Sequence, residues 1–240
     1  MKILFIEIDT QRKWALASTG PASIASYIRL HGHEAALLRV RPQDSVEEII
    51  RSIEKESVDI LGFSLTTRQW RRAAYVAAEI RKRLNIPTIA GGLHPTFAPE
   101  SVLRTEGFDY VCLGDGEEAV CEILDCLEKS EVISENLIAN IWVKSGSRPK
   151  IRPPLEPLDN MPFLARDLLD EQHGVFHLIT QRGCPFHCTF CAAGAVRDLY
   201  KNDRYQRRRT VEDVVKELHQ IRQENSVNYI VFVDDTFTAN

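Results

Sequence analysis

The chain has 240 residues, of which 44% are hydrophobic and 27% charged, with 30 Lys and Arg against 34 Asp and Glu for a formal net charge of -4. That composition suits one large or two small domains with a real core, and the charge gives no general attraction for nucleic acid. No apolar run approaches the roughly 20 residues that cross a bilayer, and Met1 to Asp9 lacks a small-residue cleavage site; the expected compartment is therefore the cytoplasm. Six cysteines in that reducing setting are ligands or core residues before they are disulfides.

From residue 1 to about 130, short β-rich runs alternate with helical patterns. Residues 2–8 read as a first strand, followed by a loop over 9–20. Ile24, Ala25, Ile28 and Leu30 then mark a helix that stops at Gly32. Residues 34–40 are a second strand. Ser45 and Glu48 form a capping box ahead of Val46, Ile49, Ile50 and Ile53 at helical spacing. A third strand over 58–64, a helix over 69–84, a fourth strand over 87–90, a fifth over 109–113 and a helix over 117–127 complete the unit. Strands alternating with helices predict a doubly wound parallel α/β sheet, whose ligands sit at the carboxyl ends of its strands. Three of those ends hold Ser64-Leu65-Thr66, Gly91-Gly92-Leu93-His94-Pro95-Thr96 and Gly114-Asp115-Gly116-Glu117. Each alone is a tight turn, but three at one edge favour a ligand crevice. No G-x-G-x-x-G follows the first strand and no G-K-[ST] loop is present, which supports neither a dinucleotide fold nor a P-loop. Cys112, Cys121 and Cys126 belong to this layer and read as small core residues.

Gly91-Gly92-x-His94-Pro95-Thr96, Pro99-Glu100, Asp109-Tyr110-Val111 and Gly114-Asp115-Gly116-Glu117 resemble the cobalamin-binding domain that precedes many radical S-adenosylmethionine enzymes. The resemblance implies a flavodoxin-like sheet with cobalamin over the strand ends. Its contacts would come from Ser64, Thr66, Gly91, Gly92, His94, Gly114, Gly116 and Glu117. One departure is clear. Where such domains carry D-x-H-x-x-G to supply an axial histidine, this chain has Asp9-Thr10-Gln11-Arg12-Lys13-Trp14. Cobalamin would therefore bind without a histidine from that loop, and a domain that binds no cobalamin stays open.

Residues 131–170 contain Pro149, Pro153, Pro154, Pro157 and Pro162, and read as a semi-rigid linker with one possible strand at 137–143. From 171 to 240, a strand over 175–180, a helix capped by Thr210 and a strand over 229–233 form the start of a β/α barrel. Sites in that architecture lie at the C-terminal strand ends. Cys184, Cys188 and Cys191 sit there at C-x3-C-x2-C spacing. Thiolates suit zinc or iron–sulfur. Zinc would ask for a fourth ligand, and His187 lies awkwardly within the tight first loop. The run from Arg197 to Arg209 holds six basic residues and reads either as a solvated loop or as an anion contact.

Thr180-Gln181-Arg182-Gly183-Cys184-Pro185-Phe186-x-Cys188-x-Phe190-Cys191 is similar to the signature of the radical S-adenosylmethionine superfamily. The resemblance implies a [4Fe-4S] cluster on the three cysteines, with one iron open to S-adenosylmethionine. Reductive cleavage would then give a 5'-deoxyadenosyl radical. It also implies Phe190 near the adenine, Asp234 and Asp235 at the amino end of S-adenosylmethionine, a small-molecule substrate and a low-potential donor such as flavodoxin or ferredoxin. The expected activity is methyl transfer to, or other modification of, an unactivated carbon. The alternatives are a cofactor-binding module without turnover and a radical enzyme without cobalamin. The chain stops just after the second barrel strand, so the reading expects a truncated barrel.

Overall fold

The computed structural model describes residues 1–9, 19–169, 171, 174–200 and 205–238. The predicted axial-ligand position at Gln11 and Trp14 lies outside them, as do Lys201 and Arg204 of the basic run.

The N-terminal unit runs β1 (Lys2–Ile8), α1 (Thr19–Leu30), β2 (Glu34–Val40), α2 (Val46–Glu56), β3 (Ile60–Ser64), α3 (Thr67–Arg81), β4 (Thr88–Gly91), α4 (Leu93–Phe97), α5 (Pro99–Arg104), β5 (Tyr110–Cys112), α6 (Glu117–Glu128) and β6 (Ile141–Val143). Its sheet has the order β2-β1-β3-β4-β5-β6. Strands β1 to β5 pair in parallel, and β6 closes the edge antiparallel to β5. The period-2 alternation of a strand sorts its side chains between two apolar layers. On β1, Leu4, Ile6 and Ile8 join the layer under α2 and α3 with Ile53, Val76 and Ile80. Ile3 and Phe5 join the opposite layer with Ile28 of α1 and Ile123 and Leu124 of α6. Ser45 accepts from the Glu48 amide and the Glu48 side chain returns to the Ser45 amide, the reciprocal capping predicted for α2.

Strand order reverses around β1, which opens a crevice at the carboxyl edge beside β3. The segment from 131 to 169 packs onto this unit. Strand β6 joins the sheet, and Arg152 pairs with Glu118 and Glu122 of α6. Two single 3-10 turns follow, at Leu158–Asn160 and Arg166–Leu168.

The C-terminal unit runs β7 (Val175–Leu178), β8 (Gln181–Arg182), α7 (Ala192–Tyr200), β9 (Arg207–Arg208), α8 (Val211–Glu224) and β10 (Tyr229–Phe232). Strand β10 pairs with β7 in parallel, and α8 covers them through Ile221 against Phe176 and Leu178. Thr210 caps α8 by accepting from the Asp213 amide. Three elements here lie beyond the predicted set: the alanine-rich α7 and the two short strands β8 and β9, which pair antiparallel as a ribbon. No helix among the described residues is long and apolar enough to cross a membrane.

Candidate functional site

The crevice holds a cavity of about 250 Å³ between the sheet edge and helices α1 and α6. Ser64, Gly91, Gly92, Gly114, Gly116 and Glu117, all predicted contacts, line it together with Phe5, Ile24, Cys112 and Val120. Cys112 is fully enclosed there, and burial, then Glu117 and Asp115, push its thiol up to about 12. Gly92 has φ 93° and its missing side chain would meet the Leu65 amide at 2.8 Å, so the turn after β4 admits only glycine without a backbone shift.

Two predicted contacts lie elsewhere. Thr66 caps α3, its hydroxyl and amide both directed at Gln69. His94 turns away from the cavity and stacks on Trp70, with Nδ1 3.2 Å from the Thr67 hydroxyl. Desolvation lowers its pKa and Nε2 has no partner, so it is a neutral packing residue beneath the turn.

The cysteine loop follows β8. Cys188 and Cys191 are exposed, Cys184 is half-buried and all three are free thiols, which removes the reading as core residues. Gly183 has φ 85° and sits so close to the Tyr205 carbonyl that a Cβ would fall 2.6 Å from it. Cys184 Sγ lies 2.9 Å from the Thr236 hydroxyl. His187 faces the Arg197 guanidinium with both ring nitrogens, Nδ1 at 2.8 Å, and this cation beside it disfavours a fourth metal ligand there. Three soft donors on an exposed turn, with no fourth cysteine beside them in the sequence, fit an iron–sulfur cluster that keeps one iron open.

Asp234 and Asp235 have separate tasks. The Asp234 carboxylate accepts from the Thr180 amide (2.7 Å), the Thr180 hydroxyl (2.7 Å) and the Gln181 amide (3.0 Å), and so ties the end of β10 to the start of β8. Asp235 instead faces a second cavity of about 300 Å³. Burial, then the Asp234 charge, raises its pKa. Phe190 is 92% exposed and lines neither cavity.

The second cavity is built by both units: Gly92, Leu93, Thr96, Gly114 and Asp115 from the strand ends, Gly183, Tyr205, Arg207, Val233 and Asp235 from the cluster side. Between the two cavities stands a buried charge cluster. Arg182 donates to Glu117 at 2.5 Å and to the Ser23 hydroxyl at 2.7 Å, and lies 3.7 Å from Asp115. Arg207 donates to the other Asp115 oxygen at 2.6 Å. Burial alone would raise the Asp115 carboxyl, but Arg182 and Arg207 hold it below the usual range. The Tyr200 hydroxyl accepts from the Asp115 amide at 2.8 Å. Arg182, Tyr200 and Thr236 are missed by sequence reasoning. The basic run did flag Arg207, as an anion contact or a solvated residue; its side chain is 2% exposed and pairs with Asp115 on the wall of the second cavity.

Comparison with known proteins follows this geometry. Residues 16–124 match the B12 binding domain family and residues 178–240 match the radical SAM superfamily. The chain belongs to the radical SAM superfamily and carries an N-terminal B12-binding domain. It is 32% identical over its full length to an uncharacterized methyltransferase of Pyrococcus horikoshii, covering 54% of that protein. It is 23% identical over its full length to an anaerobic magnesium-protoporphyrin IX monomethyl ester cyclase of Rubrivivax gelatinosus, covering 46%. The chain thus spans about half the length of these curated relatives. Among solved structures, the cobalamin-dependent S-adenosylmethionine radical enzyme OxsB superposes with TM-score 0.79 at 20% identity, over 98% of this chain and 34% of that one. The radical S-adenosylmethionine methyltransferase TsrM of Kitasatospora setae gives 0.75 at 15%, over 99% and 48%. At such identity the likeness speaks for the fold: a B12-binding sheet joined to a radical SAM unit.

Proposed function

We propose that the protein is a cobalamin-dependent radical SAM enzyme that modifies an unactivated carbon of a small molecule, with methyl transfer as the favoured outcome. The observation that carries this reading is the second cavity, whose wall is shared by the strand ends of the B12-binding domain and by Gln181, Arg182 and Gly183, which lead directly into the first cysteine. A site for two cofactors that must meet needs such a shared wall. The 32% identical methyltransferase relative supports methyl transfer over ring closure.

In this reading Cys184, Cys188 and Cys191 hold the [4Fe-4S] cluster. Ser64, Gly91, Gly92, Gly114 and Gly116, which line the crevice, would hold cobalamin. When bound, the cluster and S-adenosylmethionine would supply radical chemistry and cobalamin a transferable methyl group. Asp235 offers its carboxylate to the amino group of S-adenosylmethionine, a charge pairing that would lower its raised pKa. Asp234 keeps the loop closed through its bonds to Thr180 and Gln181. Phe5, Ile24 and Val120 give the crevice an apolar wall. A low-potential flavodoxin or ferredoxin supplies electrons, and the cytoplasm is the compartment.

The test is anaerobic reconstitution with iron and sulfide, followed by S-adenosylmethionine and a strong reductant. Methionine and 5'-deoxyadenosine should form, and Cys184→Ala, Cys188→Ala and Cys191→Ala combined should abolish both. Hydroxocobalamin titrated into the same sample should show saturable absorbance changes. Cobalamin binding with no deoxyadenosine would favour a cofactor-binding module without turnover. Deoxyadenosine without cobalamin binding would favour a radical enzyme of another kind.

A further inference from the structure

We infer that the buried Arg182–Glu117 pair, backed by Arg207–Asp115, is a positioning element through which an occupant of the B12-binding crevice sets the environment of the iron–sulfur cluster. The inference rests on the reading above and goes further, by assigning a route between the two cofactor sites.

Three observations carry it. First, the pair belongs to both sites. Asp115 and Arg182 line both cavities, and Glu117 lines the first. An occupant of the crevice therefore touches the same side chains that border the cluster side. Second, the four charges form a closed unit. Arg182 and Arg207 are direct cross-strand partners on the β8–β9 ribbon, and their acidic partners are two residues apart at the start of α6. Side-chain exposure is 21% for Arg182, 4% for Glu117 and 2% for Arg207, so water offers little substitute if one charge moves. A shift of Glu117 removes a partner from the Arg182 nitrogen that it shares with the Ser23 hydroxyl, and so perturbs Arg182 directly. Third, the path from Arg182 to the first cluster ligand is short. Only Gly183 intervenes, in a left-handed turn (φ 85°) whose approach to the Tyr205 carbonyl leaves no room for a side chain. Two residues beyond Arg182, Cys184 Sγ meets the Thr236 hydroxyl, and Asp234, two residues before Thr236, accepts from the Thr180 and Gln181 amides. A displacement of Arg182 therefore has a one-residue path to the Cys184 sulfur.

A purely structural ion pair would look the same by stability, so the readout is the cluster itself. The 240-residue protein is reconstituted anaerobically, reduced, and its cluster EPR spectrum recorded with and without hydroxocobalamin at saturation by absorbance. The expected result is a cobalamin-dependent shift of the g-values in the parent. The variant Arg182→Met/Glu117→Met removes both charges together, which avoids a lone buried charge. Because Glu117 lines the crevice, its cobalamin affinity is expected to fall, so the spectrum of the iron-loaded variant is recorded at hydroxocobalamin saturation, where no shift should appear. Arg182→Lys, which keeps the charge opposite Glu117, should retain part of it. Should the paired variant fail to load iron, Glu117→Asp replaces it, and an attenuated shift is expected there. A full-sized shift in either the paired variant or Glu117→Asp overturns the inference and leaves the cluster of charges a structural role. Cobalamin binding to the parent without any shift overturns it too, while leaving the proposed function intact. Absence of cobalamin binding takes down both.

Discussion

Thr236 is the smallest feature with a chemical consequence. Its hydroxyl lies 2.9 Å from Cys184 Sγ, within reach to donate to a cluster thiolate. Hydrogen bonds to the sulfurs favour the more negative, reduced cluster and raise its potential. Thr236→Val keeps the shape and removes the donor, so the cluster midpoint in an EPR-monitored redox titration should fall, with iron content unchanged. An unaltered midpoint would show that the hydroxyl bonds elsewhere once the cluster is in place. Gly183 gives a second test. Alanine there meets the Tyr205 carbonyl in a left-handed backbone, a strain of about 1–3 kcal/mol. Gly183→Ala should lower both the melting temperature and the iron bound per chain. The cysteines were legible in the sequence because a loop ligand set is encoded by spacing over a few residues. Arg182 and Thr236 were not, because their partners are remote: Glu117 lies 65 residues before Arg182, and Cys184 lies 52 before Thr236. His94 misled for a related reason. A histidine at a strand end looks like a ligand until the aromatic Trp70 that stacks on it is known.

Elements with a strong period were read correctly, and those defined by pairing were not. Helices α2, α3, α6 and α8 carry an apolar repeat over many residues, and strands β1 to β5 are apolar runs set between helical patterns. The ribbon β8–β9 has two residues per strand and no repeat; only the chain's return after α7 creates it. Helix α8 then shows how a polar network fixes an element. Glu217, 2% exposed at its side chain, accepts from Arg166 at 2.6 Å and also from Arg209. This ties the helix to the segment before β7 and to the ribbon. Removing one member of a buried network leaves charge uncompensated, which costs about 3–5 kcal/mol. Glu217→Leu should therefore lower the denaturant midpoint strongly, and a loss below ~1 kcal/mol would mean that water replaces the carboxylate. Strand β10 is exposed on its outer side, with Tyr229 70% and Phe237 just beyond it 53% accessible. Open apolar strand edges recruit further strands. Concentration-dependent association of the 240-residue protein is expected in sedimentation equilibrium, and Tyr229→Lys should weaken it.

At the scale of the whole molecule, the two units are joined by charge as much as by apolar surface, and that makes their union pH-dependent. Sequence order alone predicted a sheet, a linker and a barrel start as successive pieces. The structure folds the middle piece into the first through β6 and Arg152, and locks the third onto it through Asp115 and Glu117. Asp115 carries the pH dependence. Burial works to raise its carboxyl, but Arg182 and Arg207 outweigh burial and hold it below its ordinary value. An unfolded aspartate titrates near pH ~3.9. A carboxyl whose folded value is depressed contributes stability that is complete above the unfolded value and is lost as pH falls through the folded one. The unfolded chain then takes up the proton first, and Arg207 loses its buried counter-charge when the folded chain follows. Asp115→Asn should melt well below the parent at about pH 7, because Arg182 and Arg207 remain buried with one partner fewer. The gap between the two melting temperatures should begin to narrow as pH falls below about 4, where the unfolded chain takes up its proton, and close once pH has passed the lower value at which the folded carboxylate is protonated. A gap that stays constant down to acid would place the stabilising charge on Glu117 instead, and would make Asp115 a hydrogen-bonding residue whose ionisation does not matter.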